Sequence, residues 1–202
     1  MQVAIINYGM GNVASVEKAI KVLGFEVIIT REHEEISAAD VIILPGVGAF
    51  AQGMDNLKKF GLIEILNREV IQNKKPFLGI CLGMQLIAAK GYEPIETPGL
   101  GWIDGEVVRI VEPDKSIPHL GWNEITVRNH PFMQEFDQKD FYFIHSFHVK
   151  AVNSNDIAAT VNYGNDYAAV IQKGNIFATQ FHPEKSQTFG LALIKRFFEQ
   201  YA

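Results

Sequence analysis

The chain has almost no cysteine: one residue, Cys81, among 202. No internal disulfide can form, which fits a reducing, cytoplasmic setting, and the lone thiol needs an explanation other than cross-linking. Long apolar runs are missing too. No stretch approaches the roughly 18 uninterrupted apolar residues of a membrane-spanning helix. The opening Met1-Gln2-Val3-Ala4-Ile5-Ile6-Asn7 lacks the basic start of a secretion signal and reads as a strand. Basic charge is scarce: the formal net charge is −5, and Lys and Arg never run beyond two in a row. Neither nucleic acid nor a membrane is expected as a partner. Metal-ligand patterns are equally thin. The histidines at 33, 119, 130, 145, 148 and 182 show no helical i, i+4 pair. His145 and His148, if they share one strand, point to opposite faces. No metal or cofactor is expected.

What is there is an ordinary globular composition, 48% apolar and 20% charged, long enough for one domain spanning residues 1–202. Short β-branched runs alternate with helical spacing through the first half. Strands are predicted at Val3–Asn7, Phe25–Thr30, Asp40–Leu44 and Pro76–Ile80, with helices at Val13–Leu23, Met54–Lys58 and Leu62–Gln72. The third and fourth strands are nearly all apolar, as parallel strands buried on both faces must be. After Leu100 come shorter strands, at Glu106–Val111, Glu124–Arg128, Phe141–Ile144, Ile157–Asn162, Ala168–Gln172 and Ile176–Thr179, and a closing helix at Thr188–Gln200. The fold class is α/β: a doubly wound, mostly parallel sheet flanked by helices, with an added antiparallel portion.

Gly79-Ile80-Cys81-Leu82-Gly83 lies where the fourth strand should turn into a helix predicted at Met84–Ala89. A sharp strand-to-helix elbow lifts one nucleophilic side chain above the sheet edge and needs small residues two before and two after it. The helix N-terminus would favour the thiolate and offer the Leu82 N–H to an oxyanion. A lone cysteine is more often a small buried hydrophobe, so the spacing is what singles it out. Downstream, Gln180-Phe181-His182-Pro183-Glu184 follows the last predicted strand. A thiol nucleophile needs an imidazole to move its proton, and the imidazole needs an acceptor to fix its orientation. His182 and Glu184 supply both. After the third strand, Gly46-Val47-Gly48 could turn backbone N–H groups toward a ligand, although an ordinary turn has the same composition.

Together, Pro45-Gly46-Val47-Gly48, Gly79-Ile80-Cys81-Leu82-Gly83-Met84-Gln85 and Gln180-Phe181-His182-Pro183-Glu184 resemble the class I (triad) glutamine amidotransferase family, in its order and over the whole chain. The resemblance implies hydrolysis of glutamine through a thioester, with Cys81, His182 and Glu184 catalytic. It also implies Gly46, Val47, Gly48, Leu82, Gln85, His145 and Ser146 around the substrate and oxyanion. Asn7-Tyr8-Gly9-Met10-Gly11-Asn12, Pro118-His119-Leu120-Gly121-Trp122-Asn123, Tyr142-Phe143-Ile144-His145-Ser146 and Lys185-Ser186-Gln187 resemble the branch serving imidazole glycerol phosphate synthases. That branch implies a heterodimer with a (β/α)8-barrel cyclase. The chain departs from its pattern at Phe147-His148, where two tyrosines are usual, so one hydroxyl is lost and a titratable ring gained. Leu100-Gly101-Trp102-Ile103-Asp104 is similar to paralogues that supply ammonia for surface sugars. A dinucleotide-binding reading rests on Gly9-Met10-Gly11-Asn12-Val13-Ala14 between a strand and a helix, without a convincing ribose-binding acid.

Overall fold

The computed structural model describes residues 1–128 and 130–201. Its first half alternates strand and helix: β1 (Gln2–Ile6), α1 (Val13–Val22), β2 (Glu26–Thr30), α2 (His33–Ala38), β3 (Val41–Gly46), α3 (Phe50–Lys59), α4 (Leu62–Leu66), β4 (Phe77–Cys81) and α5 (Leu82–Leu86). Strands dominate the second half: β5 (Ala88–Gly91), β6 (Thr97–Pro98), β7 (Ile103–Arg109), β8 (His119–Val127), β9 (Asp140–His145), β10 (Phe147–Ala151), β11 (Ile157–Tyr163), β12 (Asn165–Lys173) and β13 (Ile176–Thr179), before α6 (Gln187–Gln200).

The main sheet has nine strands in the order β2-β1-β3-β4-β13-β12-β11-β8-β9. Its first five are parallel and the remainder antiparallel. Every residue of β3 and β4 is buried, as helices on both faces require. On β4 the alternation sends Leu78 and Ile80 to the face covered by α1 and α6, and Phe77 to the face covered by α2, α3 and α4. A second sheet, β10-β7-β5-β6, packs beside the second face. Because β3, β4 and β13 are neighbours in parallel register, Gly46 pairs with Cys81 and Thr179 with Ile80. Three chain segments far apart in sequence thus end at one sheet edge, where open α/β sheets bind ligands.

The structure departs from the predicted elements where tertiary contacts outweigh local pattern. The helix predicted at Met84–Ala89 begins at Leu82 and stops at Leu86, because Ala88–Gly91 leaves it to pair with β7 and β6. His33–Ala38 is helical although Ile36 is its only buried residue, too little apolar periodicity to detect. β8 begins at His119 rather than Glu124. β10 was not anticipated, and it separates His145 from His148: they lie on strands of different sheets, not on two faces of one strand.

After α4 the chain continues as a π-helical turn, Asn67–Gln72, which carries Glu69 into the interior. Glu69 is 4% exposed and accepts from Ser37 Oγ (2.9 Å), Arg68 Nε (3.1 Å) and Asn73 Nδ2 (3.0 Å), with Lys75 Nζ at 3.3 Å. Burial alone would raise its pKa; these donors and the lysine charge outweigh it and hold the carboxyl at about 2. Glu69→Ala should cost about 3 kcal/mol in urea unfolding at neutral pH, because the Lys75 charge loses its carboxylate and the Ser37 hydroxyl its acceptor. The contribution is complete above the ordinary carboxylate range and is lost as pH falls toward about 2, so the gap between variant and parent should close in acid. A pH-independent gap would contradict the ionic account.

Candidate active site

Cys81 is the last residue of β4 and adopts φ +54°, ψ −107°, a conformation an L-residue takes only under constraint. The constraint comes from packing on either side. A Cβ at Gly83 would overlap the carbonyl oxygen of Leu44, and one at Gly79 would sit 2.9 Å from the Gly83 oxygen. The two glycines let β4 and α5 close against β3, and the thiol is driven to the sheet edge. The α5 helix is only five residues long. Its macrodipole is correspondingly small, and what it delivers at the elbow is free backbone N–H groups rather than a long helix field.

The backbone after β13 brings His182 and Glu184 to the same edge. His182 N–H donates to the Tyr142 carbonyl (3.0 Å), and Ser186 Oγ donates to the His182 carbonyl (2.7 Å) while accepting from Tyr142 N–H (3.0 Å). Both peptide groups of the histidine are thereby tied to β9. Its Nδ1 lies 2.8 Å from Glu184 Oε1, with both side chains only 3% exposed. Nε2 is buried without a hydrogen bond of normal geometry among the described residues, yet the Cys81 sulfur lies close enough to favour the charged ring. Burial alone would lower the His182 pKa. The cysteine and the Glu184 carboxylate outweigh it and raise it to about 9.

A cleft of about 350 Å³ opens over Cys81. Of the residues expected around the substrate, Val47, Gly48, Leu82, Gln85, His145 and Ser146 line it, together with Phe147. Gly46 does not; it is buried beneath, where a Cβ would overlap the Tyr8 hydroxyl. His182 and Glu184 lie behind the sulfur rather than in the wall. His148 is outside the lining and packs edge-on against Tyr167. Gly11, which suggested a dinucleotide site, instead lies against β3: its Cβ would come within 3.1 Å of Gly46 Cα. That close approach accounts for the glycine without a cofactor.

Two polar residues of the site went unassigned in the sequence reading. Glu93 is the one carboxylate in the lining; it accepts from the Phe50 N–H (3.2 Å), and half-burial raises its pKa. It stands in the connection between β5 and β6, where no periodicity marks it. Gln180, inside the His182 motif, is fully buried, and its Nε2 donates to Cys81 Sγ at 3.8 Å. Its place immediately after a buried strand was the available signal.

Comparison with known proteins gives the family. The glutamine amidotransferase class-I family matches residues 4–201. The chain belongs to that family. Imidazole glycerol phosphate synthase subunit HisH 1 of Campylobacter jejuni (strain RM1221) is 48% identical, covering 96% of this chain and 98% of its own. Subunit HisH 2 of Methanococcus maripaludis is 44% identical, with 98% and 99% covered. Among solved structures, one described as a glutamine amidotransferase superposes with a TM-score of 0.77 at 20% identity, covering 98% of each chain. A glutamine amidotransferase from Thermotoga maritima gives 0.65 at 20% identity, covering all of this chain and 82% of its own. At those identities the structures support the amidotransferase fold alone.

The His182–Glu184 contact makes a signed prediction. Glu184→Gln should lower the NMR titration midpoint of His182 below about 9, because the ring loses its carboxylate. A raised folded-state pKa adds stability that is complete below the ordinary histidine range and is lost as pH rises through about 9. The stability gap between the variant and its parent should therefore be largest in mild acid and narrow in alkali. An unchanged midpoint would mean that Glu184 does not hold the charge.

Proposed function

We propose that this chain is the glutaminase subunit of an imidazole glycerol phosphate synthase, releasing ammonia from glutamine for a (β/α)8-barrel cyclase partner in histidine biosynthesis. The observation that carries the chemistry is the constrained Cys81 beside a buried His182–Glu184 pair, at the floor of a cleft with one carboxylate. The named HisH relatives, matched over nearly their full length, favour the histidine pathway over surface-sugar synthesis.

In this reading the Cys81 sulfur attacks the carboxamide carbon of glutamine. The negative charge gathering on the carboxamide oxygen is met by backbone N–H groups at Leu82 and the Gly46–Gly48 loop. His182, held protonated by Glu184, gives its proton to the departing nitrogen, so the C–N bond breaks and ammonia leaves a thioester on Cys81. The neutral ring then takes a proton from water, whose oxygen attacks the thioester. The C–S bond breaks, glutamate departs and the thiolate–imidazolium pair returns. Glu93 faces the substrate's α-ammonium, the one cationic group of glutamine. A lone cysteine with no disulfide partner fits a reducing setting, and the cytoplasm is the proposed compartment.

The mouth of the cleft supports a partner there. Leu120, Trp122 and Ile144 are all exposed, and register places Leu120 beside Ile144 and Trp122 beside Tyr142 on one face of β8 and β9. Val47 is exposed at the opposite lip. An apolar surface continuous with the site suits a subunit that covers the cleft and keeps ammonia from water.

Glutamate release by the purified chain, alone and with a histidine-pathway cyclase bearing its ribonucleotide, tests both halves. Cys81→Ala should lose at least ~1000-fold in turnover while remaining folded, and His182→Ala should lose more than Glu184→Gln. Wild-type turnover by Cys81→Ala would overturn the chemistry. Trp122→Ala should weaken cyclase binding by ~2 kcal/mol or more and leave turnover of the isolated chain unchanged. Undiminished binding would remove that face from the interface.

A further inference from the structure

A continuous hydrogen-bond chain crosses the protein from β8 to the nucleophile. His119 Nε2 lies 2.9 Å from Asn123 Oδ1, and His119 Nδ1 lies 3.0 Å from His145 Nε2. His145 Nδ1 lies 2.9 Å from the Phe147 carbonyl. The same carbonyl accepts from Gln85 Nε2 at 2.9 Å, and Gln85 Nε2 also donates to Gln180 Oε1 at 3.2 Å. Gln180 Nε2 ends the chain on Cys81 Sγ at 3.8 Å. His119 is fully buried and clamped between the rings of Phe143 and Tyr163, with centroids at 4.8 and 4.0 Å. His145 is 6% exposed.

The direction of every link follows from one group. A carbonyl oxygen only accepts, so His145 must carry its proton on Nδ1. With that ring neutral, its Nε2 is bare and accepts from His119 Nδ1–H. His119 Nε2 is then bare in turn, and the Asn123 amide must present its NH2 group there, half a turn about its terminal bond from the orientation with Oδ1 inward. The alternatives are an imidazolium at His119 or at His145, either of which keeps Asn123 Oδ1 inward, in an interior that disfavours the charged form of both rings. On the other side, the Phe147 carbonyl and Gln180 Oε1 use both hydrogens of the Gln85 amide nitrogen. What Gln85 has left for the cleft is its oxygen.

We infer that Asn123, His119 and His145 are positioning residues which, through the Phe147 carbonyl, fix the amide of Gln85 with its oxygen toward the substrate. This rests on the glutaminase reading above. An acceptor held there, in the same cleft as Glu93, selects for the ammonium end of glutamine and disfavours an orientation that places the α-carboxylate against it. The pairing of β8 with β9, which sets His119 opposite His145, is thus part of substrate selection.

Two measurements on the full chain test it. In 15N-histidine-labelled protein, His119 and His145 should both be neutral with the proton on Nδ1, opposite to the tautomer favoured by histidine in water. A proton on Nε2 of either ring would overturn the inference, whether or not glutamine is hydrolysed. In kinetics, His119→Phe keeps the ring stack but breaks both links. It should raise KM for glutamine ~10-fold, the value of about one hydrogen bond to a charged group. KM for glutaramate, which lacks the α-ammonium, should change by less than about two-fold. Equal losses on the two substrates would assign the chain a purely structural role and overturn the inference. A wild-type chain that hydrolysed neither with its cyclase bound would instead sink the glutaminase reading, leaving the tautomers to decide the chain.

Discussion

The left-handed backbone at Cys81 is the constraint on which the site depends. Holding a non-glycine residue at φ +54° costs on the order of 1–3 kcal/mol. It persists because β4 is hydrogen-bonded between β3 and β13 and cannot relax sideways. The glycines at 79 and 83 make the same point from the other side, since any side chain at 83 would meet the Leu44 carbonyl. Relieving the strain would mean withdrawing α5 from β3, which would carry Leu82 and Gln85 out of the cleft along with the sulfur. The local cost is thus offset by the burial of the parallel half of the sheet.

A second economy concerns burial of charge. Glu184 and His182 are nearly inaccessible, and an isolated ion at such depth would be strongly disfavoured. The imidazole resolves this by facing an acceptor on each side, the carboxylate at Nδ1 and the sulfur near Nε2. Glu69 solves a similar problem with two neutral donors, an arginine and a lysine. The contrast is functional. Around Glu69 both carboxylate oxygens are engaged by fixed donors, whereas Nε2 of His182 has no hydrogen bond among the described residues.

How much of this was legible in the sequence depends on the range of the interaction. The parallel half was readable because β3 and β4 are buried on both faces, so composition alone marks them. The elbow was readable because close backbone approach allows only glycine at 79 and 83. The His182–Glu184 contact was readable from two residues on one short loop. What escaped depends on contacts between distant segments. α5 ends at Leu86 because β7, remote in sequence, recruits Ala88–Gly91. Glu93 acquires its place from where the β5–β6 connection happens to fold. His145 and His148 could be read as opposite faces of one strand, whereas the break at Ser146 puts them on strands of two sheets. The hydrogen-bond partners of His119, from 4 to 26 residues away, carry no local signature.

These observations divide the labour between the two halves of the main sheet. In the proposed reaction the reacting groups come from the parallel strands, since β3, β4 and β13 are neighbours that end at the same edge. The antiparallel strands set their environment. β9 anchors both peptide groups of His182 through Tyr142 and Ser186, and its far end contributes Ile144, His145 and the turn to Phe147. The exposed face of that same β8–β9 pair carries Leu120, Trp122 and Ile144. A displacement of β9 by a docked subunit would therefore act on the histidine backbone and on the cleft wall together, without any need for a separate signal path. Under the proposed partnership, any such coupling would rest on where β9 sits, at the end of the antiparallel strands added to the β13 edge of the parallel ones.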